Sequence, residues 1–384
     1  MKQLIAVTLL LLMTTPCLMA QKKELSQARS SIKSGKYADA EKTLTALLKD
    51  SANRTNKRIW LAYYDAVLGQ YEQGNEKLYL KQQYDTASFF AKALQMLTIA
   101  ETLDSLTTDN RKSHSSQLNA LRPNIFNGGS FLLRKNKWGE AYRYYEAYLD
   151  CARQPLFQAY HYDSLDTRMP EAAYWATYCG YKQQDPVLTL RYSKQALQDT
   201  TKADFTLQFI AEARRLLKDN ELYVKTLEEG FRRYPQFHYF FPRLMDAYIN
   251  MGQHEKALAL ADSALAVNPS SELFLFAKST TLLRMERYAE SIKYSERLIE
   301  LNPNLAEPYF NAGTAYVNIA ERQNDKRDKK LMRQAYQKAC PFMEHYRKLM
   351  PKEKAKWAPV LYRIYLNLNM GKQFDEIDRL LKEK

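Results

Sequence analysis

Apolar residues recur at helical spacing along almost the whole chain, in paired blocks separated by short polar turns. Residues 238–271 show the pattern. Phe241, Leu244, Met245 and Tyr248 form one stripe, Met251-Gly252-Gln253 interrupts it, and Ala257, Leu258, Ala261, Ala264 and Leu265 form a second. Asn268-Pro269 then stops the helix, since proline cannot continue one and disfavours helical geometry in the residue before it. The pattern returns in step. Pro235, Pro269 and Pro303 are 34 residues apart; Tyr248, Leu282 and Tyr316 share one slot, Met251 and Met285 a second, Ala257 and Ser291 a third. A period of this length marks a solenoid, in which each helical hairpin rests only on its neighbours.

The period lays out units at 170–203, 204–237, 238–271 and 272–305, and a fifth from 306 that an insertion, 321–330, interrupts before Pro351. Upstream, Gly35, Tyr37, Ala40 and Leu44 outline the second half of a hairpin, and Trp60 to Leu103 suits two longer helices turning near Tyr84-Asp85-Thr86-Ala87. Gly128, Gly129, Trp138, Ala141 and Tyr145 outline a hairpin from about Arg122 to Asp150, with the glycines read as close helix packing. Segments 104–120 and 153–169 read as polar connectors, and Lys352 to Lys384 as a terminal hairpin that turns near Gly371. With only 11 Gly and no sustained period-two alternation, the expected class is all-α, nine stacked antiparallel helix pairs in all. The expected organisation is a leader at 1–20, irregular hairpins at 21–169, a regular array at 170–351 and a capping hairpin at 352–384.

Phe241, Tyr248, Ala257, Ala264 and Pro269, with Tyr309, Gly313 and Tyr316, resemble the tetratricopeptide repeat. That family's unit sets bulky residues against small ones where its two helices touch. Met245 and Leu298 depart from it, standing where small residues are usual. The resemblance covers 170–351 and implies a right-handed superhelix of stacked helix pairs, with a groove lined by the first helix of each pair. Carried over position by position, it nominates Tyr174, Tyr178, Tyr181 and Lys182, then Gln208, Glu212 and Arg215, then Tyr239, Asp246 and Asn250. Phe276, Thr280 and Arg284, then Phe310, Thr314 and Asn318, complete the groove. The Lys and Asn pair with which chaperone-binding members hold a terminal carboxylate is missing from these units.

The first twenty residues read differently. Met1-Lys2, the apolar run Leu4 to Met13 and the small Ala20 suit a secretory leader cut after Ala20, too short to span a membrane. Lipidation at Cys17 is the lesser alternative, because Pro16 stands where a small residue is usual. The expected location is across the inner membrane in the periplasm of a bacterium. The leader carries one lysine, so the net charge of +14 becomes +13 without it, and 326–356 alone holds eleven Lys/Arg against three Asp/Glu. Behind a leader, that region suits an anionic envelope glycan or lipid or an acidic protein rather than nucleic acid, or simply a solvated helix face. Cys151, Cys179 and Cys340 are too sparse for a disulfide framework and read as buried free thiols, a Cys151–Cys179 pair staying open.

Catalytic constellations are missing from the pattern. The five histidines are scattered, and no metal-ligand spacing, phosphate-cradling glycine loop or nucleophile elbow occurs. No enzymatic activity and no cofactor are expected. Aromatics mixed with Arg, Asn and Asp along the nominated groove suit a protein or peptide partner. Tyr174, Tyr178 and Tyr181 follow the i, i+4, i+7 rhythm of one helical face; in a chain with 28 Tyr, that stripe serves either as groove or as packing.

Overall fold

The computed structural model describes residues 21–322 and 329–382. The expected leader, 1–20, and the middle of the expected insertion, 323–328, lie outside the described residues. All regular structure among the described residues is helical. Contacts divide the chain into two compact units that part between Tyr223 and Val224.

In the first unit α1 (21–33) pairs with α2 (Tyr37–Leu47), α3 (Lys57–Tyr79) with α4 (Thr86–Leu106), and α5 (Arg111–Leu133) with α6 (Trp138–Asp150). The one-turn α7 (Tyr162–Leu165) precedes α8 (Met169–Lys182). The second helix of that hairpin is broken at Tyr192 into α9 (Pro186–Arg191) and α10 (Ser193–Ala196), and α11 (Ala203–Leu216) follows. Asp85 and Asp185 start α4 and α9 by accepting the amides of Ala87, and of Val187 and Leu188, which satisfies donors a helix leaves open at its start. A continuous core runs from Tyr64 through Met96, Leu118 and Tyr145 to Phe209.

α12 (Asn220–Arg233) contains the boundary. In the second unit α13 (Phe240–Asn250) pairs with α14 (His254–Val267), α15 (Glu272–Arg284) with α16 (Tyr288–Leu301), α17 (Ala306–Arg322) with α18 (Lys329–Leu349), and α19 (Lys354–Leu368) with α20 (Gly371–Lys382). The small residues sit where helices meet. Ala257, Ala261 and Ala264 are fully buried, and Ser279 bonds Ser295 at 2.6 Å while Ser291 donates to the Ser279 carbonyl at 2.9 Å. Asn311 of α17 joins this network by donating to the Ser279 hydroxyl at 3.3 Å, and also donates to Thr280 at 3.0 Å, so these buried hydroxyls are satisfied across three helices.

The period is written into the backbone as well. Gln184, Lys218, Gly252 and Glu286, each 34 residues from the next, all adopt left-handed conformation at φ 55° to 69°. Each ends a first helix with the same pair of bonds. Gly252 N–H donates to the Ile249 carbonyl and Gln253 N–H to that of Tyr248, and Arg287 repeats the longer bond to Leu282. This closure satisfies the carbonyls a helix leaves open at its end. Glycine stands at only one of the four, so the turn is set by the packing of the hairpin rather than by local preference.

Two sequence expectations need correcting. Residues 111–120 are the opening turns of α5 rather than a connector; Leu118 and Leu121 of this helix are buried, and its polar side concealed them. The segment 153–169 is no polar connector either, because Leu156, Phe157 and Tyr162 are buried in the main core. The terminal hairpin turns near Gly371 as expected, at Asn369, φ 58°, with Gly371 beginning α20. The longer helices expected from Trp60 to Leu103 are present as α3 and α4.

Gly180 marks the tightest approach within a hairpin. A Cβ there would lie 2.4 Å from the Thr189 nitrogen and 2.8 Å from its Cα, and backbone cannot rotate away. Gly180→Ala is therefore expected to destabilise the first unit by about 3 kcal/mol, the upper end of overpacking effects. Denaturant unfolding of the two proteins checks this; a change under about 0.5 kcal/mol, the surface range, would show that α8 and α9 separate freely.

Candidate functional site

The nominated positions fall into two groups. On α8, Tyr174 is buried, 7% exposed, whereas Tyr178 and Tyr181 are half-buried and Lys182 is exposed. All three tyrosines surround Phe209 of α11, with ring centroids 6.0, 5.6 and 4.6 Å away, and Tyr181 lies nearly parallel to it. The stripe is thus first of all packing between successive first helices. Burial, then Tyr178, Asp204 and Asp199, push the Tyr174 hydroxyl up to about 12, and the Lys202 ammonium lies 5.2 Å above its ring. Tyr174 is core, not groove.

What remains open lies at the C-terminal ends of the two helices. Tyr181, Lys182, Glu212 and Arg215 border a cavity of ≈ 260 Å³, closed by Gln184, Thr189, Ala213 and Leu216. Arg215 pairs with Glu212 at 2.8 Å. Lys182 instead sits 5.3 Å over the ring of Trp138, which meets Tyr178 edge-on at 5.7 Å. Sequence reasoning used Trp138 only to mark a helix and passed over Phe209 and Leu216. The recurrence of a large apolar residue on the helix after the tyrosine stripe was the signal available for Phe209.

In the second unit, Tyr239 is also core, 7% exposed, with the Arg243 guanidinium 3.9 Å from its ring. Asp246, Asn250 and Arg284 are exposed, while Phe276, Phe310 and Asn318 are half-buried. Phe310 packs on Tyr346 at 5.1 Å, and Thr280 is committed to Asn311. A cavity of ≈ 610 Å³ lies between the interhairpin loops, walled by Pro235, Phe237, Phe241, Pro242, Leu273 and Phe274. None of the nominated groove residues borders it; prolines and phenylalanines flanking the loops were its sequence sign.

Among the described residues no group of three or more His, Cys, Asp or Glu is placed to hold a metal, and no helix is long and apolar enough to cross a membrane. Cys151 and Cys179 are buried free thiols and Cys340 is half-buried; burial pushes each up to about 12, so none is a ready thiolate.

Residues 243–306, from α13 through α16 to the start of α17, match the family model of the tetratricopeptide repeat. Residues 243–306 carry tetratricopeptide repeats. Solved structures similar to it include the C-terminal part of a TPR repeat-containing protein from Cytophaga hutchinsonii, at 13% identity, TM-score 0.46, over 66% of this chain and 92% of that one. MamA from Desulfovibrio magneticus RS-1 is 15% identical, TM-score 0.35, over 49% and 96%. YrrB, described as a TPR protein with an unusual peptide-binding site, is 14% identical, TM-score 0.37, over 50% and 92%. At these values the assignment rests on the family match and on the packing within each unit. Within the tetratricopeptide repeats, the two departures from pattern are absorbed by the core: Met245 and Leu298 are 5% and 0% exposed.

Proposed function

We propose that this chain is an exported scaffold that binds a peptide segment of a protein partner on the first-helix face where α8 meets α11. Tetratricopeptide repeats are generally non-catalytic scaffolds, and the side chains described above offer surface rather than chemistry. The observation that carries the proposed face is the convergence of Tyr181, Lys182 and Arg215, from successive hairpins, on one open cavity. Tyr181 and Leu216 offer apolar surface, and Lys182 has no ion pair among the described residues, so an apolar side chain next to an acidic one fits best. A ring held rigid by Phe209 loses little freedom on binding, which favours Tyr181 as an anchor. Export is supported by the Leu4 to Met13 run and Ala20; N-terminal sequencing of the envelope fraction should find chains starting at Gln21, and an intact Met1 on cytosolic protein would refute it.

The face is tested by affinity isolation from the source cell envelope, comparing the parent with Lys182→Glu/Arg215→Glu. Both side chains are exposed, so the melting temperature should hold while the partner is lost by about tenfold or more in affinity. Equal retention by both proteins would remove this face from the account.

A further inference from the structure

The second helices of the second unit differ in what they show to solvent. On α14 and α16 the exposed charges are of both signs: Glu255, Lys256 and Asp262 on one, Glu290, Lys293 and Glu296 on the other. α18 breaks this rule. Its exposed charges are Lys329, Lys330, Arg333, Lys338 and Lys348, and no exposed acid lies among them. The one carboxylate of the helix, Glu344, is half-buried and accepts from the Tyr365 hydroxyl at 3.1 Å and the Cys340 thiol at 3.7 Å. Nearby Glu321 and Glu376 are taken by Arg363 and Arg347. None of the five cations forms an ion pair among the described residues, and Lys338 has only a ring contact, 5.8 Å over Tyr316.

The charges are also fixed in place. Ala335, Tyr336, Ala339, Met343 and Tyr346 are buried in the core that α17 and α19 complete, so α18 cannot roll its basic side away. From Lys330 to Lys348 the face runs about 27 Å at 1.5 Å per residue. Lys329, Lys330 and Arg333 stand three and four residues apart, a spacing at which like charges repel until a counter-charge arrives.

We propose that this face of α18 docks the protein on an anionic lipid bilayer. Four of the five cations are lysines, compact hydrated charges that read charge density rather than the planar shape an arginine fork reads. The face has no exposed aromatic ring to anchor a protein partner, and its one large apolar residue, Leu331, is half exposed beside Lys330, where it meets the headgroup boundary. The contact is peripheral, because the apolar side of the helix is already occupied.

The test is co-sedimentation of the full chain with vesicles of equal parts phosphatidylglycerol and phosphatidylcholine, against phosphatidylcholine alone. The comparison protein is Lys330→Glu/Arg333→Glu/Lys338→Glu in the same full chain, so any pull from residues 1–20 is common to both. The parent should prefer the anionic vesicles, and the triple variant should lose about a hundredfold in affinity with unchanged helicity, each cation near such a surface being worth a factor of about five. Raising salt should weaken the parent alone. Equal binding by both proteins, or no preference for anionic vesicles, would overturn the proposal. Retention on soluble dextran sulfate with no binding to vesicles would also overturn it, in favour of an anionic polymer.

Discussion

Arg122→Ala is expected to destabilise the first unit by about 3 kcal/mol, because it empties a buried site between two rings and leaves the half-buried Asp166 carboxylate without its cation. Arg122 is 5% exposed and lies between two rings, with its guanidinium carbon 3.6 Å from the centroid of Tyr148 and 3.8 Å from that of Tyr162. It donates to Asp166 and, at 3.0 Å, to the Tyr148 carbonyl, while the Tyr148 hydroxyl donates to the same Asp166 oxygen at 2.6 Å. The cluster ties the irregular stretch after α6 to α5, where a run of short turns could not hold itself. Replacing both partners by apolar residues, Arg122→Met with Asp166→Leu, should be far milder, since the desolvation penalty goes with the charges. The pH dependence has a definite sign. Burial raises the Asp166 pKa, but hydrogen bonds from Tyr148, Arg122 and the Arg168 amide outweigh it and hold the folded value below the ordinary one. Stability from this group is therefore present above about pH 4 and lost as pH falls through the depressed folded value. Urea unfolding at neutral and acid pH checks both points: Asp166→Asn should lower stability at neutral pH and flatten the acid loss. A parent and variant with the same acid slope would contradict this.

Phe209→Ala should cost about 3–5 kcal/mol, the usual loss for a buried phenylalanine. The ring is 3% exposed and is the shared neighbour of Tyr174, Tyr178 and Tyr181, so its removal leaves a void between α8 and α11 that three rings cannot fill together. Phe209→Leu keeps part of the volume and should lose less. Thermal unfolding measures the stability, and partner binding by the folded fraction should weaken because Tyr181 loses the surface that orients it. A loss under about 1 kcal/mol would show that the tyrosines pack on one another without Phe209.

The helical hairpins were legible because their period appears twice, in prolines at 235, 269 and 303 and in apolar slots such as Tyr248, Leu282 and Tyr316. The left-handed turns at Gln184, Lys218 and Glu286 were not, since only Gly252 advertises the conformation its equivalents also adopt. Polar composition misled at 104–120 and 153–169. Single buried residues such as Leu118 and Phe157 decide whether a polar stretch joins the core, and Arg122 gains its place from distant neighbours, Tyr148, Tyr162 and Asp166. The site was legible in part for a related reason. A helical rhythm gives the face of Tyr174, Tyr178 and Tyr181, but not that Phe209 packs on all three, nor that the first is buried while the last lies at a cavity mouth. Tyr239 shows the same limit, its repeat position suggesting a groove and its neighbours burying it.

Peptide binding where α8 meets α11 is tested most directly by photo-crosslinking from position 216, where Leu216 is exposed at the edge of the cavity. A photoreactive residue placed there, in cells of the source organism, should give one dominant adduct whose peptide carries an acidic residue beside an apolar one. The adduct should disappear with Lys182→Glu/Arg215→Glu. A dominant adduct that survives both substitutions, or one that forms equally from exposed Val187 on α9, would contradict the account.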